Sequence, residues 1–171
     1  MILLLCVFFL PIPVSAASFF VHEEQSISGQ TVLSLYTDTS QKAPINAASG
    51  ILSLPFPVAS VDVSDSIFTL WQTEPTITED GNVSFSGGTF ARGGFIFPGK
   101  LFSVALPQSV QVANLRMLNG HITAHDGEGT DLFYEPSFEL EKRSPIPASF
   151  DTNHNGHVSL RELSIGLTRN Q

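Results

Sequence analysis

Cysteine is almost missing from this chain, with one residue, Cys6, in 171. It stands inside an apolar N-terminal run, so the remainder can form no internal disulfide and stability has to come from packing. Cys6 itself reads as a small hydrophobe. Basic residues are scarce as well, 8 Lys+Arg against 16 Asp+Glu, for a formal net charge of −8. Such a surface has little to offer a phosphate backbone, which argues against nucleic acid as a partner. A nucleophile elbow of the G-x-S-x-G type is also lacking, so acyl-enzyme hydrolysis has no evident nucleophile. Tryptophan occurs once, Trp71, and tyrosine twice, Tyr36 and Tyr134. Flat rings for a sugar platform are therefore few, since the 14 phenylalanines are core residues by default.

What is present begins with "MILLLCVFFLPIPVSAASFF". An apolar run from Ile2 to Leu10, a proline-bearing break and the small residues Ser15, Ala16 and Ala17 predict a secretory signal peptide over residues 1–17, too short to span a bilayer. No Lys or Arg precedes the run, which leaves the amino terminus as its only positive charge. The mature chain is then expected outside the cell or at its surface, with no membrane span. Its 42% hydrophobic content suffices for the core of one domain plus a small appendage.

From Thr31 onward apolar residues alternate with period two, in "TVLSLYT", "SGILSLPF", "GNVSFSGG", "GKLFSVAL", "GHITAHDG" and "SFELEK". Gly, Pro, Asn and Asp punctuate these runs, and Asp80-Gly81 and Asp126-Gly127 supply residues that tolerate positive φ at tight connections. The pattern predicts an all-β protein of two packed antiparallel sheets. "SVDVSDSIFTLWQTEPTITEDG" is the least regular part and is expected to hold a strand, a crossing loop and another strand. Trp71 is expected in a core or strand-crossing contact, "SGGTFARGG" to mark a bulge and a turn, and "HDGEGTD" to form a plain hairpin loop.

Several stretches in order, "TVLSLYTDTSQKAPINAASGILSLPF", "VASVDVSDSIFTLWQTEP", "GNVSFSGGTFARGGFIFPGKLFSVAL" and "AHDGEGTD", resemble the cohesin domain of bacterial extracellular proteins. The likeness runs from about Thr31 to Leu140. It implies a nine-stranded jelly-roll sandwich, placed at residues 22–141, and a non-catalytic role in holding extracellular proteins together.

After Leu140 the character changes: "EKRSPIPAS", with Pro145 and Pro147, predicts an extended linker over 142–149. "DTNHNGHVSLREL" follows. A twelve-residue calcium loop takes oxygen ligands from positions 1, 3, 5, 7, 9 and 12. Counting from Asp151 gives Asp151, Asn153, Asn155, the backbone carbonyl of His157, Ser159 through water, and Glu162. Gly156 stands at position 6, where the sharp turn needs positive φ, and Val158 at position 8. Ca2+ is the expected ion, since the side chains of His154 and His157 fall outside the ligand register. Leu160, Leu163 and Leu167 then recur with helical spacing, so a calcium loop-helix is predicted over 150–169. With no entering helix, this unit resembles half of a dockerin module, the calcium-dependent partner of cohesins. Dockerins carry two repeats, and at position 12 they usually have Asp where this loop has Glu162.

Nothing else in the chain points to an enzyme. His121 and His125 would lie about 13 Å apart along a strand, too far to share one ion. Glu139 and Glu141 share a strand face but read as solubility charges at a sheet edge. The sequence therefore predicts a secreted, non-catalytic, calcium-binding assembly protein. Its partner is expected to be a dockerin-like extracellular protein or a polysaccharide, in the setting of polysaccharide use. The alternative is a carbohydrate-binding module that grips glycan directly.

Overall fold

A computed structural model describes residues 17–25, 30–38, 43–96, 98–107 and 112–143. Nine strands and no helix occur among them: β1 (Ser18–Gln25), β2 (Thr31–Asp38), β3 (Ile45–Ser53), β4 (Ser60–Asp62), β5 (Leu70–Ile77), β6 (Val83–Gly88), β7 (Gly99–Ala105), β8 (Arg116–Ala124) and β9 (Asp131–Glu139). They form a four-stranded sheet ordered β1-β2-β7-β4 and a five-stranded sheet ordered β5-β6-β3-β8-β9. All neighbouring strands pair antiparallel. The expected all-β architecture of two antiparallel sheets is therefore present.

Alternation decides which side chains meet between the sheets. Phe19 and Val21 of β1, Leu33 and Leu35 of β2, and Leu101, Phe102 and Val104 of β7 enter the core from one side. Ala48 and Leu52 of β3, Val83 and Phe85 of β6, Met117 and Ile122 of β8 and Phe133 of β9 enter it from the other. Rings lock the two layers together. Phe85 meets Phe102 edge to face at 5.1 Å between centroids, and Phe19 meets Phe133 at 5.5 Å. Strict alternation fails at Leu101-Phe102, where the β2–β7 register shifts beside Leu35 and both residues are buried. A bulge of this kind lets two consecutive side chains point the same way.

The turn residues act as their chemistry demands. Gly81 (φ 78°), between β5 and β6, and Gly127 (φ 79°), between β8 and β9, occupy the left-handed region where a Cβ is penalised. The irregular stretch resolves as expected into β4, a crossing loop and β5. Two boundaries differ from expectation. β1 starts at Ser18, four residues before the expected edge at 22, with Phe19 and Val21 in the core. At the other end Lys142 and Arg143, expected in the linker, remain on the sandwich. The Val21 amide donates to the Glu141 carbonyl (3.0 Å), and the Arg143 amide to the Val21 carbonyl (2.9 Å). The guanidinium of Arg143 lies over the Phe20 ring at 4.4 Å and donates to the Ser18 hydroxyl at 2.7 Å.

Candidate functional site

The predicted calcium ligands Asp151, Asn153, Asn155, His157, Ser159 and Glu162 lie outside the described residues, as do the loop-helix and residues 1–16. The site that can be built from coordinates is therefore on the sandwich. Among the described residues no group of three or more His, Cys, Asp or Glu side chains is placed to hold a metal.

The acidic stretch at 125–131 is a hairpin connection, in which the carboxylates serve the backbone. Asp126 accepts from the Glu128 amide at 2.9 Å. Its carboxyl is held below the usual range, first by the Thr130 hydroxyl and then by that amide. Asp131 accepts from the Phe133 amide at 3.1 Å and the Ile122 amide at 3.3 Å, and its other oxygen lies 2.6 Å from His121 Nδ1. His125 is engaged elsewhere: its amide donates to the Pro44 carbonyl at 2.7 Å and its side chain stands against Gly94. Glu139 and Glu141 border one opening at the open side of the sandwich, floored by Phe19, Phe133 and Phe138. Both are exposed, and Glu141 lies 3.6 Å from Arg143 Nε.

The outer faces of the two sheets differ in character. On the four-stranded sheet Phe20 is buried and stacks on Tyr36 at 5.3 Å. Beside this pair the buried hydroxyls of Ser34 and Ser103 satisfy each other at 2.9 Å. On the five-stranded sheet most outward positions of β3 and β6 are small or hydroxylated. Register places Ala47 opposite Gly88 and Thr123, Ser49 opposite Ser86 and His121, and Ile51 opposite Ser84 and Leu118. β3 and β6 thus present a low surface, bordered on the β8–β9 side by Leu118 and by the His121–Asp131 pair.

At one end this surface dips into a groove of about 270 Å³, lined by Asn46, Ala47, Leu70, Gln72, Ser86 and Thr89 over the glycines of β6. Two register irregularities build it. One between Ile45 and Ala47 leaves Asn46 as the extra residue of β3, so that Asn46 and Ala47 both line the groove. Another between Trp71 and Thr73 leaves Gln72 as the extra residue of β5. The Gln72 Oε1 accepts a long bond from the Ser86 hydroxyl at 3.4 Å, while the Asn46 Oδ1 is buried with no hydrogen-bond partner. The glycines keep the floor low. A Cβ on Gly87 would stand 2.7 Å from Trp71 Cζ3, and one on Gly88 would stand 2.7 Å from the Asn46 carbonyl oxygen.

Trp71 packs against the core and meets Phe68 edge to face at 5.6 Å, the contact expected for it. Of the "SGGTFARGG" glycines, Gly93 and Gly94 form the turn with positive φ, whereas Gly87 and Gly88 belong to β6. Sequence reasoning did not single out Asn46 or Gln72, because their placement depends on register irregularities that leave no mark in the local pattern. The described residues form an all-β scaffold of two antiparallel sheets. No family model, curated protein or solved structure matches it.

Proposed function

We propose that this chain is a secreted, non-catalytic, calcium-binding assembly protein, with a cohesin-like jelly-roll sandwich and a dockerin-like calcium loop at 150–169. Its partner is an extracellular protein of dockerin type or a polysaccharide-linked assembly. The observation that supports this reading best is the outer face of the five-stranded sheet, where β3 and β6 carry largely small, uncharged side chains. Such a surface allows a second backbone or helix to approach closely along its length. It offers no pair of carboxylates facing each other across a cleft, the arrangement that sugar hydrolysis needs.

The loop adds calcium. Asp151, Asn153, Asn155, the His157 carbonyl, Ser159 and Glu162 form an all-oxygen donor set suited to a hard cation. With Asp151 and Glu162 as its only carboxylates, the site belongs in the ~10⁻⁴–10⁻³ M class of extracellular modules, which fills where calcium is millimolar. Calorimetric titration of the full mature chain should show one site that Glu162→Ala removes; equal uptake by both proteins refutes the calcium assignment. Retention of a protein from culture medium, compared with and without chelator, tests the assembly role. If no protein is retained while a glycan array lights up, the carbohydrate-binding alternative replaces it.

A further inference from the structure

We infer that the groove at the β3–β5–β6 end of the five-stranded sheet is a binding site for a neutral saccharide. The inference stands independently of the calcium loop and of any protein partner, because it rests on the groove walls alone.

Chemistry narrows the ligand class in steps. None of the lining residues carries a charge, which leaves nothing to hold a phosphate, a carboxylate or a cation. No imidazole, thiol or carboxylate faces the groove, so it is not a metal site either. A wholly apolar ligand would strand the exposed amide of Gln72 against hydrocarbon and weaken the hydration of the Ser86 and Thr89 hydroxyls, which keep Gln72 Oε1 and the Ala91 amide as partners. What remains is a ligand without charge, rich in hydroxyls, with some apolar surface of its own. A pyranose ring has that composition, with hydroxyls at its rim and C–H groups on its faces.

Each wall has a part to play. Asn46 Oδ1 is a buried acceptor that the described residues leave without a donor, so hydrogen-bonding capacity beside this wall is unused. The carboxamide NH2 of Gln72 makes no hydrogen bond among the described residues and is available to a ligand oxygen. Leu70, 44% exposed, provides the apolar contact, and Phe90, one residue beyond Thr89, is 82% exposed. That ring stands outside the groove lining and would meet only a sugar that extends beyond Thr89. The volume lies just below the ~300–1,000 Å³ of small-ligand sites, which fits one or two sugar rings.

The molecule contains its own reporter. Trp71, the only tryptophan in the sequence, lies directly beneath Gly87 in the groove floor. Neutral di- and tetrasaccharides of glucose, xylose and mannose, titrated into the full chain at up to millimolar concentration, should change its emission saturably. Backbone amide shifts should concentrate at Ala47, Gln72 and residues 86–89. Gln72→Ala removes one exposed amide without touching the core and should weaken binding about fivefold, the worth of one net hydrogen bond. Ser86→Leu fills the groove and should abolish binding, whereas Ser60→Ala on the other sheet should leave it unchanged. Thermal melts of each variant separate lost folding from lost binding. Absence of a saturable response to all three sugar series overturns the inference. So does a shift pattern centred on another surface, or unchanged affinity in both groove variants. A failed pull-down leaves these readouts untouched, so the assembly role and the saccharide site fail separately.

Discussion

Replacing Gly87 with alanine tests the central packing claim of the five-stranded sheet. Its backbone φ lies outside the left-handed region, so the substitution carries no conformational penalty and its cost is steric. The new Cβ would stand 2.7 Å from Trp71 Cζ3, closer still to Cε3, and 2.9 Å from the Leu70 carbonyl oxygen. The ring can tilt, but the carbonyl belongs to the paired β5 backbone and cannot yield without breaking the Leu70–Gly88 register. Overpacking of this kind costs about 1–3 kcal/mol, and a backbone contact places it in the upper half of that range. A Gly-to-Ala change in a strand returns about 0.5–1 kcal/mol through lower unfolded-state entropy, which leaves a net loss of roughly 1.5 kcal/mol. Thermal unfolding should fall by roughly 5 °C at about 3 °C per kcal/mol for a domain of this size. Gly81→Ala is the control with the opposite cause. Its φ of 78° carries the left-handed penalty of about 1–2 kcal/mol, yet nothing lies within 4 Å of its Cβ. Both variants lose stability, but only Gly87→Ala should move the Trp71 emission. Trp71→Leu should rescue part of the Gly87→Ala loss and none of the Gly81→Ala loss, giving a coupling energy of at least about 1 kcal/mol in a double-mutant cycle. If Gly87→Ala melts like the wild type, or adds simply to Trp71→Leu, the ring does not lie where the packing argument requires it.

Two further substitutions probe the four-stranded sheet. Burial raises the pKa of Tyr36 above the ordinary phenol value, with smaller contributions from the charges of Glu24 and Asp65. The folded state therefore favours the neutral ring. That preference is fully present below the unfolded value near pH 10 and is lost as the pH rises through the folded value. Denaturant melts should show stability falling from about pH 10 upward, and Tyr36→Phe, which keeps the stack on Phe20, should flatten that fall; parallel profiles for the two proteins would rule Tyr36 out as its source. Ser34→Ala should cost about 1–3 kcal/mol by leaving the Ser103 hydroxyl buried without its partner, while Ser34→Ala with Ser103→Ala should be nearly neutral. A double variant as unstable as the single one would show that packing, not the unpaired hydroxyl, sets the cost.

How much of this was readable beforehand follows from where the physical signal resides. β2, β6 and β7 were legible because polar and apolar residues alternate along most of each run and Gly, Asn, Asp or Pro stands close to its ends. β1 was not, since "SFFV" directly follows an apolar leader-like run, and Phe19, Phe20 and Val21 are all buried, on two different faces. A strand buried on both sides gives no period-two signal, and only its pairing with β2 reveals it. The retention of Lys142 and Arg143 on the sandwich was hidden for a related reason. A charged pair before a proline-rich stretch reads as linker, whereas the contacts that hold it, Lys142 with Glu23 and Arg143 with Ser18 and Asp38, span more than a hundred residues. The predicted calcium register is the opposite case: all the information for it is local, in twelve consecutive residues, and needs no tertiary contact to be read. The groove is the least legible feature, because two register irregularities in two strands must coincide before Asn46 and Gln72 line one cavity.

The sheet edges decide by which surface such a scaffold can bind. Strand addition to an exposed edge is a common mode of recognition, and each of the four edges here resists it. β4 offers only three residues, Ser60–Asp62. β5 carries Pro75 and breaks register twice, between Trp71 and Thr73 and between Thr73 and Thr76. β9 contains Pro136, which has no N–H to donate. The edge of β1 is taken up at Val21 by the returning chain, which exchanges hydrogen bonds with it through Glu141 and Arg143. Recognition then has to use a face or a loop. On the four-stranded face the hydroxyls of Ser34 and Ser103 are spent on each other, and the Phe20 ring lies between Tyr36 and Arg143. The five-stranded face keeps an unpartnered buried acceptor at Asn46, an available amide at Gln72 and solvent-exposed Leu70. Unspent hydrogen-bonding capacity beside exposed apolar surface is what distinguishes a binding face from one that only covers a core. Thr37 Oγ1 and Arg143 Nε also lack hydrogen-bond partners but are buried on the four-stranded side, whereas at the β3, β5 and β6 end the Gln72 amide and Leu70 are exposed together.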